Sequence, residues 1–251
     1  MRLRTCLLIL IPTFALNAQP CVAQQDSLPI TATTVLRSAN NLDERLLLQI
    51  NHWAAKAGWL NYPAELLSNS AVYTVLGVPA GLYIYGLATK NTTHAYAGMS
   101  TLLSVGVSGL LTEGLKQIVQ RQRPYCTLDS CVFPDTLVTG YSFPSGHATA
   151  SWAFATGISL HYPKWYVIAP SILYATAVSL SRPSLAVHYP TDILAGAIIG
   201  AATSYIFWHF ENRWFRGGGK ILNPGGIPPS MISPENDPKH VTFAFDVPIG
   251  F

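Results

Sequence analysis

Three short clusters in the middle of the chain carry the side chains that can do chemistry. In chain order they are Lys116-x6-Arg123-Pro124, Pro144-Ser145-Gly146-His147 and Ser181-Arg182-x5-His188-x3-Asp192. Together they supply three permanent cations, a Ser-Gly pair, two histidines and a carboxylate. Such groups bind a phosphate and stabilise the charge that develops when it is transferred. The clusters therefore predict a phosphate site, and the rest of the chain is expected to hold them together.

The first cluster pairs two cations. Lys116 and Arg123 are seven residues apart, two turns of an α-helix, which predicts that they share one helical face. Pro124 disfavours helical backbone at Arg123 and turns the chain away. Taken alone, the pair is weak evidence, because cations at the end of a membrane helix more often extend to lipid headgroups.

The second cluster precedes an apolar segment, so Ser145 is expected near the N-cap of a helix. Free backbone N–H groups at a helix start, together with the helix dipole, form an anion site, and Gly146 permits close approach. His147 would then point towards a bound phosphate and donate a proton to it. An ordinary turn before a helix explains this cluster about as well when it is considered singly.

The third cluster places a carboxylate four residues after a histidine. Asp192 can hold one imidazole nitrogen of His188 and leave the other basic, which is the arrangement of an oriented nucleophile or base. Pro190 suits the first turn of the helix that follows. Asp192 as a simple helix-start residue is the alternative, but three such coincidences in order argue against it.

Composition favours a membrane protein. Only 11% of the 251 residues are charged and 49% are hydrophobic, against about a quarter charged in soluble domains. The net charge of +3, without a basic run, argues against a nucleic-acid partner. A small apolar soluble enzyme is the alternative class.

The N-terminal residues 1–23 resemble a secretory signal peptide. Arg2 and Arg4 form its basic region, and the apolar run that follows is too short to span a bilayer. Cleavage is expected after Ala18 or Ala23, followed by an exported linker over residues 24–42. An uncleaved first membrane helix is the alternative.

An amphipathic helix is predicted over Asp43–Leu60, with Asp43 at its N-cap or in its first turn. Its apolar stripe comprises Leu46, Ile50, Trp53, Ala54 and Ala57. Such a helix lies in the membrane interface or packs on a bundle.

Five apolar segments follow this helix. They are Ser70–Ala88, Ala95–Leu115, Ala148–Tyr162, Trp165–Leu180 and Ile193–Phe210. Two are shorter than the roughly 17 residues that a span requires. We expect an all-α fold: a membrane-embedded helical bundle of about five or six helices plus the amphipathic N-terminal helix, forming a domain over residues 43–215.

If the N-terminus is exported and successive apolar segments cross the membrane in alternating directions, all three clusters lie on the exported side. The opposite loops carry basic residues and tryptophans, as the positive-inside rule and the aromatic belt require. They are Lys90, Lys164, Arg213, Arg216 and Lys220, with Trp165, Trp208 and Trp214. The expected location is the cell membrane, with the site on the periplasmic face.

Two further features lie outside the clusters. In an exported protein, Cys126 and Cys131 predict a disulfide that braces the loop between the first two clusters, with free thiols as the alternative. Residues 216–251 read as a Gly/Pro-rich tail ending in a short strand-like segment. The terminal Phe251 resembles the last strand of outer-membrane barrels, which leaves periplasmic or outer-membrane placement as alternatives.

The three clusters together resemble the signature of the type 2 phosphatidic acid phosphatase superfamily, which also includes class A acid phosphatases and vanadium haloperoxidases. Every signature position is filled, and the resemblance covers roughly Asp43 to Phe210. It implies that His188 attacks phosphorus, Asp192 orients it and His147 transfers the proton. It further implies that five other residues of the clusters bind the phosphoryl oxygens: Lys116, Arg123, Ser145, Gly146 and Arg182.

The resemblance implies a phosphatase of lipid phosphates or diphosphates that needs no cofactor and no metal. The expected partners are the membrane and a lipid substrate: undecaprenyl diphosphate, phosphatidylglycerol phosphate, phosphatidic acid or lipid A. A soluble periplasmic acid phosphatase acting on small phosphomonoesters and a vanadate-dependent haloperoxidase are the alternative enzymes. A non-catalytic lipid-binding protein is the alternative outside enzymes.

Overall fold

The computed structural model describes residues 41–57, 61–128 and 138–211, which contain helices and no strands. The helices are α1 (Leu42–Ala57), α2 (Asn61–Ala88), α3 (Thr92–Val119), α4 (Pro124–Thr127), α5 (Gly146–His161), α6 (Trp165–Ser184) and α7 (Pro190–Glu211). The predicted all-α bundle with an N-terminal helix is therefore confirmed. The predicted signal peptide, most of the linker, the tail and Cys131 lie outside the described ranges. The domain boundaries and the disulfide with Cys126 stay predictions.

Each predicted apolar segment lies in a separate helix, except that Tyr162 at the end of one segment is the C-cap of α5. Within the described part of the chain, three stretches are long and apolar enough to cross a membrane: Pro63–Ala88, Thr92–Thr127 and Pro190–Glu211. Their outer faces expose large apolar side chains such as Tyr73, Leu110 and Leu194, which suits contact with lipid. Helix α5 has 16 residues, fewer than the about 20 that a full span needs. The fold is a membrane helical bundle.

Helix α1 packs on the bundle through a different face from the predicted stripe. Leu47, Leu48, Asn51 and Ala54 are buried, whereas the predicted Leu46 and Trp53 are exposed. The reason lies in tertiary contacts, because the buried leucines join a cluster with apolar residues that flank the third sequence cluster. The buried face therefore shares only Ala54 with the predicted stripe, in which Ile50 and Ala57 are half-buried.

Two glycines let α7 lie directly on α5. A Cβ atom at Gly200 would lie 2.2 Å from the backbone oxygen of Thr149, and one at Gly196 would lie 2.6 Å from the backbone oxygen of Ser145. No larger residue fits there without moving the helices apart. The starts of α5 and α7, which carry the second and third clusters, are consequently side by side.

Buried hydroxyl groups connect α3, α5 and α7. Thr112 on α3 donates a 3.0 Å hydrogen bond to the hydroxyl oxygen of Thr149 on α5. Ser204 on α7 donates to the backbone oxygen of Ala153 on α5 at 2.5 Å and lies 2.8 Å from the Ser104 hydroxyl of α3. These contacts satisfy polar atoms inside an apolar bundle and fix the rotation of each helix.

The helices alternate in direction, so the early part of α2, the end of α3, the starts of α5 and α7 and the end of α6 meet at one end of the bundle. Ser68 of α2 contacts Arg182 of α6 there, and Ser145 contacts Asp192. Lys90 follows α2 and Lys164 precedes α6, so both lie at the other end. The fold thus brings the three sequence clusters together.

Candidate active site

Asp192 lies in the first turn of α7 and is fully buried, with partners on both carboxylate oxygens. Its Oδ2 accepts hydrogen bonds from the hydroxyl of Ser142 at 2.5 Å and from the backbone N–H of Tyr189 at 2.9 Å. Its Oδ1 lies 2.7 Å from Nη1 of Arg121. Pro190 is the first residue of α7, as predicted. The carboxylate is thereby fixed in one orientation.

His188 lies in the loop between α6 and α7, and its imidazole is oriented by the groups around Asp192. Nδ1 is 3.6 Å from Oδ2 of Asp192 and 3.4 Å from the Ser142 hydroxyl oxygen. The first distance is an ion-pair contact, too long for a direct hydrogen bond. Ser142 therefore bridges the two residues. The Ser142 hydroxyl oxygen beside Nδ1 of His188 favours the proton on Nδ1 and leaves a lone pair on Nε2.

The pKa of His188 is lowered to about 4, mainly by burial and also by the cations of Arg123 and Arg182, while Asp192 opposes the shift. A desolvated imidazolium beside two guanidinium groups is unfavourable. His188 is therefore neutral at pH 7. The neutral form is the one that can attack phosphorus.

Arg123 is the N-cap residue of α4, and its guanidinium is buried against the third cluster. Nη1 donates to the backbone oxygen of Val187 at 2.9 Å and lies 3.4 Å from Nε2 of His188. Nε donates to the backbone oxygen of Gly140 at 2.9 Å. The cation thus holds the segment before the second cluster against the histidine loop and places positive charge at the reactive nitrogen.

Ser145 is the N-cap of α5, as predicted, and its backbone N–H donates to the backbone oxygen of Asp192 at 3.0 Å. Its hydroxyl is fully buried and has no hydrogen-bond partner among the described residues. A Cβ atom at Gly146 would meet no atom within 4 Å. Packing therefore does not demand glycine there, and the open space leaves room for a ligand against the helix start.

Arg182 and His147 meet around Ser68 of α2. The buried guanidinium of Arg182 donates to the Ser68 hydroxyl through Nη1, and its Nε has no partner among the described residues. The imidazole of His147 contacts the Ser68 backbone and interacts electrostatically with Arg182, His188 and Lys116. Arg182, His188 and Lys116 therefore all lie within electrostatic range of His147.

Lys116 is in the last turn of α3 and lies 3.7 Å from Glu113, whose carboxylate is half exposed. It interacts repulsively with Arg123 and Arg182. The prediction that Lys116 and Arg123 share one helical face was wrong, because α3 ends at Val119 and Gln120 adopts a left-handed backbone. The two cations converge through the turn that follows.

The arrangement is chemically an anion site. Three like charges lie within electrostatic range of one another, and two buried donors, Nε of Arg182 and the hydroxyl of Ser145, have no acceptor among the described residues. Unpaired buried donors are costly. An anion with several oxygen atoms would satisfy both donors and offset the repulsion.

Four residues of this site were not among the sequence candidates: Ser68, Ser142, Arg121 and Asp43. Ser68 lies 114 positions from its partner Arg182, and Asp43 lies 148 positions from Thr191. No local spacing signals contacts at such separations. Among the described residues, no three His, Cys, Asp or Glu side chains are placed to share a metal ion.

Comparison with known proteins finds similarity over the part of the chain that contains the three clusters. Residues 97–216 match the family model of the PAP2 superfamily. The solved structure of LpxE from Aquifex aeolicus superposes with a TM-score of 0.56 at 26% identity, covering 68% of this chain and 96% of that one.

Curated relatives match a shorter stretch. An undecaprenyl-diphosphatase of Sulfolobus acidocaldarius is 31% identical over 115 residues, 46% of this chain and 55% of the relative. A lipid A 1-phosphatase of Rhizobium etli is 34% identical over 110 residues, 42% of this chain and 47% of the relative. The chain therefore spans about half the length of these curated relatives.

Proposed function

We propose that this chain, whose residues 97–216 belong to the PAP2 superfamily, is a metal-independent phosphatase that hydrolyses lipid phosphates or diphosphates through a phosphohistidine. The observation that carries the proposal is a pair of buried donors on Ser145 and Arg182 without an acceptor among the described residues, at the bundle end where Nη1 of Arg123 lies 3.4 Å from Nε2 of His188. A phosphoryl group bound to these donors lies next to a neutral imidazole.

The phosphoryl oxygens are bound by Lys116, Arg123 and Arg182, with the Ser145 hydroxyl and the backbone N–H groups at the start of α5. Guanidinium groups donate in a planar fork that matches phosphate geometry. Because these cations are fixed before the substrate arrives, they stabilise transition-state charge without reorganisation. They supply the positive charge that other phosphatases take from metal ions.

In the first step, the Nε2 lone pair of His188 forms a bond to phosphorus as the bond from phosphorus to the leaving oxygen breaks. His147, whose protonated form is favoured once the phosphate anion is bound beside it, donates its proton to that oxygen, so the lipid leaves as an alcohol or a monophosphate. Asp192 stabilises the positive charge that develops on His188. In the second step, water gives a proton to His147 and attacks phosphorus, the N–P bond breaks and inorganic phosphate departs.

The fold and the relatives support a substrate that lies in the membrane. The bundle has three helices that suit a bilayer, and the relatives are named for undecaprenyl diphosphate and lipid A. Both are amphiphiles whose phosphate sits at the membrane surface. The site at one end of the bundle would meet that phosphate at the periplasmic face, with Lys90 and Lys164 at the cytoplasmic end.

The experiment is phosphate release by purified protein in detergent with EDTA present. The panel contains undecaprenyl diphosphate, phosphatidylglycerol phosphate, phosphatidic acid, lipid A and p-nitrophenyl phosphate. We expect release from at least one lipid and none from His188→Ala. His209→Ala, an exposed histidine near the other end of α7, is the matched control and should retain activity.

Two results would contradict the proposal. Full activity in His188→Ala would contradict the phosphohistidine step. Loss of wild-type activity in EDTA would contradict metal independence. Activity confined to p-nitrophenyl phosphate, recovered without detergent, would support the soluble acid phosphatase. Halide oxidation on addition of vanadate would support the haloperoxidase.

A further inference from the structure

Arg121 occupies one of the six unspecified positions between Lys116 and Arg123 in the first cluster, and it contacts the carboxylate of Asp192. Its Nη1 is 2.7 Å from Oδ1 of Asp192, and its Nη2 is 2.7 Å from Oδ2 of Asp43 on α1. One guanidinium thus bridges two carboxylates that are far apart in sequence. Bridging of this kind uses the planar fork of arginine, which lysine lacks.

Asp43 is itself fixed to the start of α7. Its carboxylate accepts hydrogen bonds from the backbone N–H of Thr191 at 3.0 Å and from the Thr191 hydroxyl at 2.5 Å. It therefore satisfies a free N–H group in the first turn of α7 and meets the positive end of the helix dipole. Helix α1 is bound at this point to the segment that carries Asp192.

The guanidinium of Arg121 is constrained on two more sides. Nη1 also donates to the Thr191 hydroxyl at 2.7 Å, and the guanidinium carbon lies 3.8 Å above the ring centre of Tyr189. A cation stacked on an aromatic face and bonded at both ends has one stable position. Arg121 is therefore a rigid support.

This support determines which oxygen of Asp192 faces His188. Arg121 takes Oδ1, so that Oδ2 is left to Ser142 and the imidazole. Without the guanidinium, a fully buried carboxylate would keep its charge with one oxygen unpaired, which is strongly unfavourable. It would rotate or take up a proton, and either change would misdirect His188.

We propose that Arg121, held by Asp43, is a positioning residue that fixes Asp192 against His188 and makes α1 part of the catalytic apparatus. The proposal rests on the phosphatase function above. A positioning role for Arg121 predicts a different kinetic effect from that of losing a phosphate-binding cation. Two carboxylates neutralise Arg121 and occupy both of its terminal nitrogens, so its loss affects turnover and leaves phosphate binding intact.

The test compares wild type, Arg121→Gln, Asp43→Asn and the double variant, with Arg45→Gln as control. Arg45 is an exposed arginine two residues after Asp43 on the same helix. Arg121→Gln should lower kcat by about 10- to 100-fold, the range for loss of a hydrogen bond to a charged group. KM and the inhibition constant for inorganic phosphate should stay within about twofold, since uniform binding is untouched.

Asp43→Asn keeps an oxygen for the Thr191 N–H and loses only the charge, so kcat should fall less than in Arg121→Gln. The double variant should be no slower than Arg121→Gln, because Asp43 acts through Arg121. Arg45→Gln should match wild type. If Arg121→Gln shows no cooperative melting transition, Arg121→Lys replaces it, with the same fall in kcat expected because lysine cannot span both carboxylates.

Failure of this inference is distinct from failure of the phosphatase function. A wild-type protein that releases no phosphate from the panel contradicts the function. An active wild type with unchanged kcat in Arg121→Gln or Arg121→Lys contradicts the positioning role. So does a variant in which kcat is kept while KM and the phosphate inhibition constant rise.

Discussion

The backbone N–H of Ser145 donates a 3.0 Å hydrogen bond to the backbone oxygen of Asp192. This contact joins the helix start that is proposed to bind phosphate to the helix start that carries the carboxylate. Because it uses backbone atoms, the side chains of both residues stay available for chemistry. The turn proposed to bind phosphate and the loop that carries His188 are consequently held at a fixed separation, which the proposed mechanism requires.

Removal of the Ser142 hydroxyl tests whether Asp192 acts on His188 through that hydroxyl. Ser142→Ala should lower kcat by about tenfold or more, because it removes a 2.5 Å hydrogen bond to a buried carboxylate. Steady-state kinetics on the preferred lipid measures the change. Ser151→Ala is the control, since that hydroxyl is also buried but bonds within α5. Equal rates in both variants would contradict the bridging role.

The close approach of α7 to α5 can be tested at Gly200. Gly200→Ala should destabilise the protein by about 1–3 kcal/mol, the usual cost of overpacking, because the added Cβ meets the Thr149 backbone. Thermal melting in detergent measures the loss. Gly109→Ala on α3 is the matched control, where a Cβ meets nothing within 4 Å. That variant should melt at or above the wild-type temperature, and equal melting of the two would refute the packing account.

The pH dependence of kcat/KM reports the protonation of His188. Its pKa is lowered to about 4 by burial and by neighbouring cations, so the free enzyme keeps a neutral nucleophile well below the ordinary histidine range. As the pH falls through about 4, His188 becomes protonated and activity is lost. The profile must be corrected for the substrate phosphate, which titrates near 6. A corrected acid limb near 6.5 would contradict the buried, cation-flanked imidazole.

The sequence predicted the helices and the motif residues for a physical reason. Apolar runs of this length can only be helices in a membrane, and the spacing from His188 to Asp192 is local enough to read directly. The sequence could not reveal the packing of α1 or the contacts of Ser68 and Asp43. Those depend on helices that meet only after folding.

The error at Lys116 and Arg123 shows where spacing misleads. Seven residues predict one helical face only if the helix continues, and here Gln120 takes a left-handed backbone that ends it. The cations still converge, because the turn returns Arg123 to the bundle end where it binds the Val187 backbone. The convergence was predictable from the motif, but its geometry was not.

Rapid quenching of the purified protein with ³²P-labelled lipid substrate tests the phosphohistidine most directly. We predict an acid-labile, alkali-stable label on the peptide that contains His188. The label should be absent from His188→Ala, and in His147→Ala it should both form and decay more slowly than in wild type, because His147 acts in both steps. Turnover without any labelled peptide, or a label that persists in His188→Ala, would contradict the account.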